Sequence, residues 1–346
     1  MVSQVLQRVD AVVLAGTHTD RKKLIRGQNK AFLPVGGEVC LAQVLRALKS
    51  SLRVGRIFVV GPKELRRLLP PEDHGYRLIP EVGRMLDNAW AAFQATEDSH
   101  RTKAPGEVLE DRPCLFLTSD IPLAVPEAID DFAERCFALE EKRGERVDFF
   151  TGLADEVALA PFYPRPDRRG IRRPYMELRH QRVRLANIYL ARPRRIRNLE
   201  VLQQGFAARK LTQWRSIGRL IKTFLQNPAG VRAVGHVVCF QTASLLGAAG
   251  MERLAAAPRR LLPLDSVERT ASMMLGCRFT SVITPYGGLS LDIDDESDYA
   301  IIGENLAVWR EHQRTLLLPP ADRPRAAVAP SPPTTRPAPP PREPAN

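Results

Sequence analysis

Over the first 160 residues, short runs of consecutive apolar positions alternate with stretches in which apolar residues recur every three to four positions. Residues 11–14 (AVVL), 56–60 (RIFVV), 76–79 and 114–118 (CLFLT) form the apolar runs expected of strands buried on both faces. Between and after them, 41–48, 63–69, 85–93 and 126–137 carry helical spacing, the last opened by Pro126, where a helix tolerates proline. This alternation predicts a mostly parallel sheet covered on both faces, a three-layer α/β sandwich. Ligands of such sheets bind outside the carboxyl ends of the strands, which directs attention to the residues after Leu14 and after Leu117.

Beyond residue 148 the pattern loosens. Residues 148–153 and 184–190 predict strands, and 199–225, 242–254 and 267–275 predict helices. Two short extended runs follow at 282–284 and 289–293, then a closing helix over 296–316 with Ser297 and Asp298 in its first turn. From Pro319 onward, eleven of 28 residues are proline. That composition cannot bury enough apolar surface to offset its ordering entropy, so 317–346 is expected to be a disordered tail. No apolar run is long enough for a membrane span, and no basic-then-apolar leader opens the chain. The five cysteines stand singly, without a C-x-x-C pair. Neither a disulfide framework nor a zinc site is expected, and a cytoplasmic location is.

Charge adds one feature. Lys and Arg number 51 against 39 Asp and Glu, and twelve of the arginines lie between Pro164 and Arg197, opposed there only by Asp167 and Glu177. A stretch this basic is either solvated surface or a receptor for phosphorylated molecules, acidic lipid headgroups or nucleic acid. Downstream, basic residues from Arg209 to Lys222 interleave with Leu211, Trp214 and Leu220 as an amphipathic helix. It is read as packed on the domain, with peripheral membrane contact the lesser reading and no nucleic-acid partner expected.

The loop after the first strand reads Leu14-Ala15-Gly16-Thr17-His18-Thr19-Asp20-Arg21 and runs on to Asn29-Lys30-Ala31-Phe32-Leu33-Pro34-Val35-Gly36-Gly37. A small-residue turn lets backbone amides approach a phosphate, yet neither Walker A nor G-x-G-x-x-G is present. A second element, Thr118-Ser119-Asp120-Ile121-Pro122, follows the fourth strand, and a third, Leu291-Asp292-Ile293-Asp294-Asp295-Glu296-Ser297-Asp298, precedes the closing helix. An aspartate at a strand's carboxyl end is placed to share a hard divalent cation with phosphate oxygens. In their order and spacing these elements resemble the MobA-like nucleotidyltransferases of the glycosyltransferase-A (nucleotide-diphospho-sugar transferase) fold. The signature of that family is Leu-Ala-Gly-Gly-x-Gly-x-Arg, then Pro/Asn-Lys-x-Leu-x-x-Val-x-Gly, then Asp-x-Pro. Thr17 and Thr19 stand where the family has glycine.

The resemblance implies transfer of a nucleoside monophosphate from an NTP to a phosphorylated small-molecule acceptor, with release of pyrophosphate. It implies Arg21 and Lys30 as the catalytic cations. Leu14, Ala15, Gly16, Thr17 and Asn88 would form the nucleotide side, and Asn187 the acceptor side. Asp120 and Asp294 would be the ligands of Mg²⁺ (or Mn²⁺), with Asp292 the fallback. It also implies one domain over 1–316, with an arginine-rich and helical insertion at about 164–275 as a cap. The acceptor stays open among a sugar phosphate, a pterin-type phosphate and a phosphorylated lipid headgroup, with the arginines between Arg165 and Arg184 expected to receive it. Two other readings use the same residues: a nucleotide-sugar-dependent glycosyltransferase, and a non-catalytic nucleotide-binding protein suggested by the two threonines.

Overall fold

The computed structural model describes residues 7–17, 24–69, 71, 75–101, 111–208 and 228–317. By internal contacts the chain divides into Met1–Leu316 and Leu317–Asn346. The proline-rich segment from 318, the loop 18–23 that holds Arg21, and the basic amphipathic stretch 209–227 lie outside the described residues.

The strands are β1 (Val9–Leu14), β2 (Pro34–Val35), β3 (Glu38–Val39), β4 (Val54–Gly61), β5 (Arg77–Pro80), β6 (Cys114–Thr118), β7 (Phe149–Asp155), β8 (Met176–Glu177), β9 (Arg182–Ala191) and β10 (Phe279–Thr284). The helices are α1 (Cys40–Ser50), α2 (Met85–Arg101), α3 (Pro126–Arg143), α4 (Glu156–Leu159), α5 (Leu199–Ala208), α6 (Pro228–Ala248), α7 (Glu252–Arg260), α8 (Leu264–Leu275) and α9 (Glu296–Arg314). Eight strands form one sheet in the order β10-β7-β9-β6-β1-β4-β5, with β8 beside β9. Only β9 runs against the others, pairing antiparallel with β6, β7 and β8. The sheet is therefore mostly parallel, as the strand–helix alternation predicts.

Side-chain alternation builds the layers. On β1, Ala11 and Val13 enter a core with Leu41 and Val44 of α1 and Ile129 and Phe132 of α3, while Val12 packs on the opposite face with Phe93 of α2. Each of these strand residues is essentially inaccessible to water, so the apolar run follows from burial on both faces. A buried Leu or Val contributes roughly 1.5–3 kcal/mol, and α1 alone buries Leu41, Val44, Leu45 and Leu48.

Three departures from the sequence reading have physical causes. Residues 289–293 are not extended: Gly287–Ser290 forms a 3-10 turn. That turn packs so closely on α4 that a Cβ on Gly287 would run into the Ala158 carbonyl. The helix expected over 242–254 is split into α6 and α7 around Gly250, which takes φ +75°. Finally, the cap expected at about 164–275 is smaller than that span, because β9 within it is a central strand of the sheet.

Just after β9, Arg192 pins the sheet to α3. Its guanidinium is 5% exposed and pairs with Glu140 at 2.6 and 3.1 Å. It also donates to the carbonyls of Asp111, at 2.9 Å, and Val147. Removing one partner of a buried pair strands the other charge. Arg192→Met should therefore cost about 3–5 kcal/mol in denaturant unfolding, and Arg192→Met with Glu140→Met should recover most of it. Equal losses in the single and double variants would show that the guanidinium acts by its volume alone.

Candidate active site

The chain leaves β1 toward β4 and β5 on one side and returns on the other to β6, so the sheet has a switch point between β1 and β6. A crevice opens there at the carboxyl edge. The backbone stitches its rim: Ser119 N donates to Leu14 O at 3.1 Å, and Ile293 N donates to Asp120 O at 3.0 Å.

Lys30 reaches this rim from a short 3-10 turn, Lys30–Phe32. Behind it, Pro34–Val35 and Glu38–Val39 pair as a hairpin through Gly36 and Gly37, with φ +62° and +86°. Positive φ at both central residues is what a tight two-residue hairpin demands, which gives the Val-Gly-Gly motif a structural reason. The Lys30 ammonium lies 3.1 Å from Asp120 and 3.2 Å from Asp294 and is 14% exposed. Burial opposes its charge, but the carboxylates of Asp120, Asp294 and Asp292 outweigh that and hold its pKa above the ordinary value. Asp292, 14% exposed, is pushed the other way: burial and then the charges of Asp120 and Asp294 raise its carboxyl pKa. Arg184 stands 3.5 Å from Asp292 and donates to Ser290 O at 3.0 Å.

The acidic run ends in a capping box: Asp295 caps α9 and Asp298 answers it. Asp298 accepts from Asp294 N at 2.9 Å and Asp295 N at 3.2 Å, and pairs with Arg173. These bonds fix the backbone that carries Asp294. Nearby Cys40 is fully buried, and desolvation keeps it a thiol rather than a nucleophile.

Beside the rim, Thr17 gives both its amide and its hydroxyl to Glu81, at 2.9 and 2.7 Å. Glu81 was not singled out from the sequence; the available signal was an acid directly after a strand's carboxyl end. Asn88, expected to open toward a base, is turned inward. Its Oδ1 accepts from Val82 N and Gly83 N at 2.7 and 3.2 Å, and its Nδ2 donates to Gly83 O at 3.2 Å. Asn88 thus braces the loop that presents Glu81.

Leu14, Asp120, Asn187, Asp292 and Asp294 line one cavity of about 760 Å³. Asn187 is 4% exposed and its Nδ2 has no hydrogen-bond partner, an unmet donor in a wall of the cavity. The arginine run behaves otherwise than expected. Arg169 pairs with Glu304 at 2.8 Å, Arg172 stacks on Tyr163, and Arg173 holds Asp298. Of the run between Arg165 and Arg184, only Arg184 lines the cavity. Among the described residues, no three His, Cys, Asp or Glu side chains converge as a metal cluster. Asp120 and Asp294 converge on Lys30 instead. No helix among the described residues is long and apolar enough to cross a membrane.

No curated protein matches the chain. Among solved structures, a "hypothetical transferase" from Thermus thermophilus is 22% identical, with 85% of this chain and 100% of that one covered and a TM-score of 0.55. CMP:2-keto-3-deoxy-manno-octonic acid synthetase in complex with CTP is 12% identical, with 87% and 99% covered and a TM-score of 0.41. The 4-diphosphocytidyl-2C-methyl-D-erythritol synthase of Anaerococcus prevotii is 9% identical, with 87% and 99% covered and a TM-score of 0.42. The Thermus structure shares the fold. A model of the MobA-like NTP transferase domain matches residues 11–217, more than half of the chain and all of the first loop, Lys30 and Asp120. With a mostly parallel sheet and this loop at its switch point, the chain belongs to the MobA-like NTP transferase family.

Proposed function

We propose that this chain transfers a nucleoside monophosphate from an NTP to the phosphate of an acceptor. An acceptor phosphate oxygen attacks the α-phosphorus, the bond from that phosphorus to the bridging oxygen of the β-phosphate breaks, and pyrophosphate leaves with that bond's electrons. Such a displacement needs in-line positioning and charge neutralisation more than covalent chemistry from the protein. The observation that carries the reading is the Asp120–Lys30–Asp294 cluster at the switch point of the sheet.

Magnesium fits this donor set. It is ordinarily held by one or two carboxylates with substrate phosphates and water completing the shell, so a three-ligand protein cluster is not required. The crowding that raises the Asp292 pKa is also what a cation relieves. Asp120 and Asp294 would hold the metal, with Asp292 adjoining, and the bound ion would neutralise charge on the α-phosphate and on pyrophosphate. The remaining roles belong to this chain's own groups. Lys30 stays protonated through the physiological range and offers its charge to the phosphates. Arg184 balances Asp292. Asn187 offers an amide donor to an acceptor oxygen. Thr17 and Glu81 fix the loop at the nucleotide side, and Arg21 lies in the part of that loop outside the described residues.

Lys30→Ala should lower kcat/KM for pyrophosphate release by about 2–4 kcal/mol, the scale of one preorganised charged contact. Without metal the same variant leaves the carboxylates uncompensated. Its Tm should fall in EDTA and recover with Mg²⁺ more than the wild type gains; no differential recovery would remove the metal from the reading.

Asp292 gives a pH test. Its folded pKa is raised, so the folded state binds the proton more tightly than the unfolded one, and stability is lost as pH rises through that folded value. At neutral pH, Asp292→Asn should raise the Tm of the metal-free protein while reducing turnover. Asp120→Asn should abolish turnover with the fold kept. Detection of labelled pyrophosphate from an NTP distinguishes all this from nucleotide-sugar transfer, which releases none. A Thr17→Gly variant removes the hydroxyl donor to Glu81 and should raise the NTP KM more than it lowers kcat.

A further inference from the structure

The cavity does not stop at the carboxylates. It continues down one face of the sheet, beneath α2, α5 and α6. On β9 the alternate residues Leu185, Asn187, Tyr189 and Ala191 all line it, while Ala186, Ile188 and Leu190 fill the opposite core. Ala191 pairs with Cys114 and Phe149, the first residues of β6 and β7. The cavity therefore runs from the carboxyl edge to the amino edge of the sheet. From Leu185 to Ala191 that is six residue steps, about 20 Å at ~3.3 Å per residue.

Its two ends differ in chemistry. At the rim stand Asp120, Asp292, Asp294 and Arg184, then the unmet Asn187 amide and the Thr118 hydroxyl, which also lacks a partner. Beyond Asn187 the walls are Phe149, Tyr189, Ile196, Leu199 and Leu202, which pack in one cluster with Ala191, while Phe240 packs with Met176 and Leu185 toward the rim. A nucleotide seated by Leu14 at the carboxyl edge would leave this deep part to the acceptor. A polyhydroxylated acceptor reaching into it would bury hydroxyls against aromatic and aliphatic walls, and each unsatisfied hydroxyl is unfavourable. A hydrocarbon body would meet no such penalty.

We infer that the acceptor is an amphiphile, a phosphate monoester whose head lies at the carboxylate rim beside Asn187 and whose hydrocarbon body fills the apolar channel along β9. This rests on the nucleotidyl-transfer reading for the head group, whereas the channel itself stands on the cavity walls. Of the three acceptor classes open from the sequence, it selects the phosphorylated lipid.

The test measures binding first, by calorimetry of the full-length protein with n-alkyl phosphates from ethyl to decyl, each below its micelle concentration. Glucose 1-phosphate and flavin mononucleotide represent the polyhydroxylated and heteroaromatic alternatives. Affinity should rise about fourfold per added methylene, equivalent to ~0.8 kcal/mol, until the channel is filled. Leu199→Trp, at the start of α5 beside Ala191, should lower the chain length at which the rise stops, and Ala191→Phe should do the same from the sheet side. Having two variants on different elements keeps the test open if one fails to fold. A flat dependence on chain length, equal gain in both folded variants, or tighter binding of glucose 1-phosphate or flavin mononucleotide would overturn the inference. Turnover is a separate readout. Chain-length-dependent binding without pyrophosphate release from any NTP would preserve the channel and sink the nucleotidyl reading. Pyrophosphate release with short phosphates alone, without a chain-length gain in binding, would do the reverse.

Discussion

Asp120 and Asp294 meet on Lys30 at one edge of the sheet, with Asp292 in their field, and like charges partly withdrawn from water there repel. Lys30 is the counterweight. Its ammonium touches two of the three carboxylates and lies in the field of the third, and the resulting stabilisation overcomes its own desolvation. Asp292 absorbs what remains of the repulsion as a raised pKa. The carboxyl edge is thus compensated but not relaxed. It holds carboxylate charge at the switch point of the sheet, and the residual repulsion would favour a bound cation there.

Much of the surrounding structure serves to hold those four side chains in place. Gly36 and Gly37 close the hairpin behind Lys30. Asp298 caps the backbone of Asp294 and Asp295 and is anchored by Arg173, so the acidic run is rigid before any ligand is present. Arg169 and Arg172 tie the same segment to α9 and to Tyr163. The arginine run therefore acts chiefly on the protein's own acids and aromatics. Its high formal charge says little about a partner, because much of it is matched within the chain.

Strands that pack on both faces were legible in the sequence, since burial on both sides leaves no freedom for polar residues; β1, β4, β6 and β9 appear close to where their apolar runs end. Asp120 was legible for a different reason: its motif sits directly after β6, and strand ends determine where the chain enters the crevice, while Lys30 and Asp294 stood out only by the order and spacing of the motifs around them. Glu81 and Asn88 were not legible, because their roles come from contacts across 64 residues and within a turn, which no local pattern encodes. Residues 289–293 carry the alternation of a strand at Leu289, Leu291 and Ile293, yet a 3-10 turn ends at Ser290 and these side chains are buried by packing on neighbouring helices rather than by a ladder. The channel was invisible as well. It is an absence of filling between elements that each look ordinary in sequence.

Segregation of charge and hydrocarbon along one cavity has a consequence for the chemistry. Phosphoryl-centre displacement gains from a site that excludes water, because each preorganised charge then acts at full strength on the reacting oxygens. The rim cannot exclude water by itself, since Asp294 remains about one-third exposed. A hydrocarbon body lodged behind the reacting phosphate would displace solvent from the apolar walls and hold the attacking oxygen against the α-phosphorus. Binding free energy from the unreactive end would thereby be used to orient the reactive one. On this reading the apolar channel and the carboxylate rim are two parts of one device: the channel supplies position, and the Lys30-balanced acids supply charge.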